Sequence, residues 1–124
     1  MKTAIASDDQ STLARHFGRT KGFVIIETHQ GAEVSRVYRP NTFTHHAHSG
    51  HQHEGGHDHS HAGILEALSD CAVVVAGGMG RRLYDELRSA DKQVYLSKSG
   101  SVDEALADLL SGTLDDNANE ACLH

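Results

Sequence analysis

Eight histidines fall between His45 and His61 of a 124-residue chain that has eleven in all. They read His45-His46-Ala47-His48, then His51-Gln52-His53, then His57-Asp58-His59-Ser60-His61. Neutral imidazole is a borderline ligand that suits nickel, zinc, copper and iron. In an extended segment, side chains at i and i+2 lie on one side. His46 with His48, His51 with His53, and His57 with His59 and His61 can therefore each converge on an ion, with His45 adjoining the first pair. Glu54 and Asp58 add oxygen ligands or acceptors for the imidazole N–H groups. Gly50, Gly55 and Gly56 let the backbone fold round a guest. The spacing is not that of a zinc finger, which requires Cys or His pairs at fixed separation, so the metal stays open. The bland alternative is a solvated low-complexity segment with incidental metal affinity. An imidazole must be neutral to ligate and its ordinary pKa is about 6.5, so affinity should fall steeply below about pH 6.

Three further groups carry possible chemistry. His16 lies beyond the first apolar segment, between Arg15 and Arg19. Cationic neighbours attract an anionic metal–sulfur cluster better than a bare cation. The plain alternative is a histidine that hydrogen-bonds its own loop. Cys122 and His124 form a Cys-x-His end, a soft chelating pair if it is held and a frayed terminus if it is not. Gly77-Gly78-Met79-Gly80 precedes Arg81 and Arg82 at a helix start, where free N–H groups can hold an anion. The turn lacks the third glycine of the dinucleotide fingerprint, and tight strand–helix packing is the favoured reading of it. Cys71, before an apolar run, reads as a small core residue.

These groups need a frame. The length suits one compact domain. Eleven Lys and Arg against seventeen Asp and Glu leave a net charge of −6, which argues against a sequence-independent grip on nucleic acid. No apolar run approaches the roughly 20 residues of a membrane span, and the N-terminus has no long apolar core of a signal peptide, so a cytoplasmic protein is expected. Two cysteines make no disulfide framework.

Lys2 to Ser7 reads as a first strand. Gly22 to Thr28, with Phe23-Val24-Ile25-Ile26, and Ala32 to Arg39 read as a hairpin about Gln30-Gly31. Pro40 and Asn41 close the third strand. Residues 42–61 have almost nothing to bury and are expected to form a mobile loop. Ile64, Leu65 and Leu68 have helical spacing. Ala72 to Ala76 is a continuous apolar run, as in a strand covered on both faces. Leu83, Tyr84 and Leu87 mark a second helix, and Gln93 to Ser97 a fifth strand. Ser101-Val102-Asp103-Glu104 resembles a capping box before a third helix that stops at Gly112. The expected domain spans 1–112, with the histidine loop at 42–61 and a polar tail at 113–124. The order β-β-β-α-β-α-β-α gives a mixed five-stranded sheet with helices on its faces, its later strands parallel.

His16-Phe17-Gly18-Arg19 after the first strand, Phe23-Val24-Ile25-Ile26-Glu27, Gly63 at the first helix, the apolar strand and Gly77-Gly78-Met79-Gly80 together resemble the dinitrogenase iron–molybdenum cofactor biosynthesis family. That family includes nitrogenase cofactor carriers and accessory proteins, and the orange protein with its molybdenum–copper sulfide cluster. The resemblance covers roughly the whole chain. It implies a ribonuclease-H-like α/β fold and cofactor contact at His16; Arg19, Gly77, Gly78 and Gly80 are the candidate contacts that the residues themselves add.

The expected function is a small non-enzymatic carrier or accessory protein for a metal–sulfur cluster of iron, molybdenum or both. Its partners are the cargo and a cluster donor or acceptor protein, with no nucleic acid and no membrane. The alternative is a histidine-rich nickel, zinc or copper buffer, or a metal-responsive interaction protein. It would use His45, His46, His48, His51, His53, His57, His59 and His61, with Cys122 and His124. A third reading, hydrolysis at a loop metal, lacks support. The central strand carries no acid, and no nucleophile–base order is evident.

Overall fold

The apolar run Phe23-Val24-Ile25-Ile26 sits in β2 (Gly22–His29), which pairs antiparallel with β3 (Ala32–Pro40). Gln30 and Gly31 join them with φ of 56° and 82°. Two positive φ values are what a hairpin turn matched to strand twist requires. The computed structural model describes residues 1–17, 20–41 and 62–117. Its remaining elements are β1 (Lys2–Ala6), α1 (Ala62–Ala67), β4 (Val73–Ala76), α2 (Arg81–Ser89), β5 (Gln93–Leu96) and α3 (Val102–Ser111). The five strands form one sheet in the order β3-β2-β1-β4-β5. β1 runs antiparallel to β2 and parallel to β4, and β4 runs parallel to β5. This is the mixed α/β sheet that the element order predicted.

Alternation along the central strands decides which side each helix covers. Ala4, Ala6, Phe23, Ile25, Val74 and Ala76 face Ile64 and Leu68 of the first helical segment and Leu83, Tyr84 and Leu87 of α2. Ile5, Val24, Ile26, Val73 and Val75 face Val102, Ala105 and Leu106 of α3. β4 is buried along its whole length, as its unbroken apolar composition required. The Ser101 hydroxyl accepts the Glu104 N–H at 3.0 Å, and Gly112 takes the left-handed conformation at φ 78°. Both ends of α3 are thus capped as the sequence indicated. Among the described residues, no helix is long and apolar enough to cross a membrane.

The two edges of the sheet differ from the expected picture. Ser35 pairs with Glu27 and Glu33 with Thr28, so the register slips and Val34 has no partner across the hairpin. Val34 and Val37 are 63% and 56% exposed. Val34 and Val37 lie on opposite faces of this edge strand, and neither is buried. At the other edge, the first residues of the tail are ordered. Asp116 accepts the Leu96 N–H at 3.1 Å, the Asn117 N–H donates to the Leu96 carbonyl at 2.7 Å, and Leu114 packs on the α3 side.

Candidate functional site

Parallel strands place the ends of β1, β4 and β5 side by side, and the three segments that follow them meet there. The Ala14 N–H donates to the Ala6 carbonyl, the Gly77 N–H to Ala14, and the Phe17 N–H to Gly78, all at 2.8–2.9 Å. The Val102 N–H donates to Ser11 at 2.8 Å, and Thr12 bridges to Ser101. Loops beyond the carboxyl ends of parallel strands are where open α/β sheets bind ligands.

His16 sits inside this knot. Its chain neighbours on both sides are held: Ala14 to β1 and the glycine turn, Phe17 to Gly78. Phe17 is fully buried, its ring 5.2 Å from that of Phe23. Arg15 and His16 themselves are exposed. The backbone is therefore fixed while the imidazole faces outward, and the expected proximity of His16 to the glycine turn is present.

The glycine turn has a steric cause. A methyl group on Gly78 would lie 2.6 Å from the Arg15 carbonyl oxygen, and one on Gly77 would lie 3.0 Å from the Ala14 carbonyl oxygen. Only a residue without Cβ lets the His16 loop pass this close. The Gly77 N–H is used in binding Ala14, which favours the packing reading of the turn. Gly80 is the N-cap of α2 and supplies no side-chain cap.

The acids after the first strand are loop-builders. Asp9 accepts the N–H groups of Thr12 at 2.8 Å and Ser11 at 2.9 Å, and the Thr12 and Ser7 hydroxyls. The Thr12 and Ser11 N–H groups hold its carboxyl down to about 2. Asp8 accepts the Lys21 N–H at 2.8 Å. Both carboxylates are thus engaged in loop hydrogen bonds. Cys71 is buried, and desolvation followed by the neighbouring Asp70 carboxylate pushes its thiol up to about 11. It is the core residue its position suggested.

One device was not anticipated. The Tyr38 ring lies over Gly22, where a side chain would collide with it, and its hydroxyl donates to the Ser7 carbonyl at 3.0 Å. This ties β3 to the mouth of the His16 loop. The signal was a glycine opening an otherwise β-branched strand, with an aromatic diagonally across: Gly22 pairs with Pro40 and Tyr38 with Val24.

Gly18 and Arg19 lie outside the described residues. So do His45, His46, His48, His51, His53, His57, His59, His61, Cys122 and His124. Among the described residues, no three His, Cys, Asp or Glu side chains gather in a way that could hold a metal ion.

Solved structures share this architecture. The apo form of the orange protein from Desulfovibrio gigas is 20% identical over 94% of this chain and 92% of its own, with a TM-score of 0.66. A dinitrogenase-like protein from Methanocaldococcus jannaschii is 16% identical over 94% and 93%, with a TM-score of 0.68. A NifB-like protein from Thermotoga is 23% identical over 93% and 91%, with a TM-score of 0.64. At these identities the likeness speaks to the fold. No curated protein matches the chain significantly. A family model described as dinitrogenase iron-molybdenum cofactor matches residues 1–112. The sheet order, the glycine turn and this match over nine-tenths of the sequence give one conclusion: the chain belongs to the dinitrogenase iron–molybdenum cofactor family.

Proposed function

We propose that this chain is a small non-enzymatic carrier or accessory protein that holds a metal–sulfur cluster containing iron, molybdenum or both as cargo. The carrying observation is His16, an exposed imidazole on a backbone pinned at both sides at the carboxyl ends of parallel strands. A bare ion needs three or four protein ligands. The described frame gathers no such set. A cluster arrives with its own sulfide ligands and needs few from the protein, so one rigid imidazole beside the Arg15 cation suits it better. Family membership and the likeness to an apo form of the orange protein support the same reading.

In this reading His16 ligates, Arg15 and Arg19 offset cluster charge, and Gly77, Gly78 and Gly80 let the loop approach. His45, His46, His48, His51, His53, His57, His59 and His61 supply additional ligands, with Cys122 and His124 as a further sulfur–nitrogen pair. A cluster donor or acceptor protein is the expected partner.

The test is anaerobic purification with elemental analysis and a visible spectrum, beside His16→Ala and a variant lacking residues 42–61. Iron or molybdenum with acid-labile sulfide and charge-transfer bands, weakened by His16→Ala, is the expected result. A colourless protein with nickel, zinc or copper that depends on residues 42–61 and ignores His16→Ala would overturn it. That outcome would leave the divalent-metal buffer, for which the density of histidines between His45 and His61 is the specific observation.

A further inference from the structure

The sheet is finished differently at its two edges. β5 is four residues long, and the tail takes up its last groups: the Leu96 N–H donates to Asp116, and the Leu96 carbonyl accepts from Asn117. β3 is nine residues long and open. Its bonding phase follows from its neighbours. The Gly22 carbonyl accepts the Ser7 N–H, and the Thr28 N–H donates to the Met1 carbonyl, so the even residues of β2 turn toward β1. The odd ones, Phe23, Ile25 and Glu27, therefore bond Arg39, Val37 and Ser35. That leaves the N–H and C=O groups of Arg36 and Tyr38 pointing off the sheet, on either side of Val37. Among the described residues nothing bonds to them. An edge that avoids strand pairing carries free charge. Here the charge is drawn away. Arg36 is held by Glu33 and Asp103, and Arg39 by the Ala67 carbonyl and Asp70. Arg36 thus lies toward α3 and Arg39 toward the end of α1, and neither guards the edge. Val34 and Val37, with Met1, are the exposed large hydrophobic residues among those described.

We propose that β3 pairs antiparallel with β3 of a second copy of this chain, about a two-fold axis at Val37. In that register Arg36 stands opposite the partner's Tyr38, and Tyr38 opposite the partner's Arg36. The outward N–H and C=O groups of both residues are then satisfied on both strands. Val37 meets its own copy at the closely spaced position between those bonds, and two exposed valines leave water together. Ser35 stands opposite the partner's Arg39, so no like charges face one another. An axis at Arg36 would set two guanidiniums against each other. An axis at Ser35 would pair Arg36 with Val34, which the register slip leaves out of the ladder. Pro40 has no N–H and ends the pairing at both sides. The contact is isologous and uses up the open edge, so it closes at a dimer instead of growing into a fibre. One strand edge buries less than the roughly 800 Å² per partner of a standard interface, so the dimer should be weak, with a Kd of about 10–100 μM.

Cluster loading plays no part in the test. It uses the full-length apo protein with a chelator, so that histidines cannot bridge two copies through a metal. Sedimentation velocity at about 10 μM and about 500 μM is expected to show a shift from monomer to dimer. Val37→Lys sets two ammonium groups face to face at the axis and is expected to weaken dimerisation about tenfold or more. Val37 is exposed, so an unchanged thermal melt should accompany the loss. Cross-linking fixes the register. In a Cys122→Ser background, oxidised Val37→Cys should form a disulfide dimer. Ser35→Cys, whose two copies would lie about 13 Å apart along the strands, should not. A monomer at the higher concentration, a dimer that survives Val37→Lys, or equal cross-linking at both positions would each overturn the proposal. So would dimerisation that arises only when residues 42–61 are deleted, since the edge would then belong to a segment of the same chain.

Discussion

The two ends of the sheet use polar groups in opposite ways. Where the first helical segment ends, charged side chains hold the fold. Lys92 is buried and its ammonium donates to the Leu68 and Cys71 carbonyls at 2.9 and 2.8 Å. Arg39 donates to the Ala67 carbonyl and to Asp70, and Lys2 also meets Asp70. These cations donate to carbonyls at and just beyond the helix end and complement its negative pole. At the His16 end the backbone makes the connections between β1, β4 and α3, and the cationic side chains face outward. Cations therefore hold the fold at one end, whereas at the other the backbone and the Asp8, Asp9 and Asp115 carboxylates do. Loss of a cation should cost folding energy at one end and leave it nearly intact at the other.

The largest effect should come from Lys92. Lys92→Met keeps much of the buried stem but leaves two carbonyls without their charged donor, which costs about 3 kcal/mol. Urea unfolding monitored by circular dichroism reads this directly. A loss under about 0.5 kcal/mol would mean that solvent replaces the ammonium and that the comparison fails at its firmest point. Next comes the backbone contact at the other end. Gly78→Ala places a methyl 2.6 Å from the Arg15 carbonyl oxygen. The turn or the His16 loop must move, at about 2 kcal/mol. Cluster loading should fall with it, because the displaced loop carries His16. A Gly78→Ala protein as stable as the parent, with unchanged loading, would show that the close approach is dispensable.

Asp70 sharpens the comparison through pH. The Arg39 guanidinium first, and the Lys2 ammonium after it, hold its carboxyl well below the usual range against some desolvation. A depressed carboxylate stabilises the fold above its ordinary titration range and loses that contribution as pH falls towards its folded value. Asp9, held down to about 2 by its loop N–H groups, has the same sign. Thermal stability should thus be level from neutral pH to about pH 5 and decline below about pH 4. Asp70 and Lys2 are 41% and 38% exposed, so solvent screens the pair. Asp70→Asn should cost only about 1 kcal/mol near neutral pH and make the acid decline shallower. An unchanged acid profile in that variant would assign the decline to the Asp9 loop instead.

The fold was more legible than the site because its signals are local. Two adjacent residues define the Gln30-Gly31 turn, four define the Ser101 cap, and one glycine defines the end of α3. The apolar run of β4 announced a strand covered on both faces. Long-range partnerships left no such mark. Lys92 is one lysine before a short strand, and nothing within ten residues of it names Leu68 and Cys71 as its acceptors. Tyr38 reaches Ser7 only after the hairpin has folded back beside β1. Val34 and Val37 fall on opposite phases of β3, and on this edge strand neither face buries its valine. Asp115, Asp116 and Asn117 looked like the start of a polar tail and instead satisfy Ser97, Lys98 and Leu96 at the β5 edge. Within the site, the nearness of His16 to the glycine turn could be read from parallel pairing, since consecutive parallel strands bring their following loops together. The steric reason for the glycines could not be, because it depends on where the Arg15 carbonyl points.

The smallest effect on stability is the one that separates the two ends most sharply. His16 is exposed, and its loop is held through Ala14 and Phe17, not through the imidazole. His16→Ala should therefore change unfolding free energy by less than about 0.5 kcal/mol, the range of an exposed substitution away from caps and cores. A histidine that hydrogen-bonded its own loop would cost more, and the loop would then report the loss. Side-by-side denaturation of His16→Ala and Lys92→Met decides between these readings. If both variants unfold early, the His16 end also relies on its side chains for stability, and an exposed imidazole there no longer implies a waiting ligand. If only Lys92→Met does, the His16 end is maintained without its imidazole, which is left for binding. Cluster loading that collapses in His16→Ala while stability stays level would then assign this histidine to cargo, because no contribution to folding remains to account for the loss.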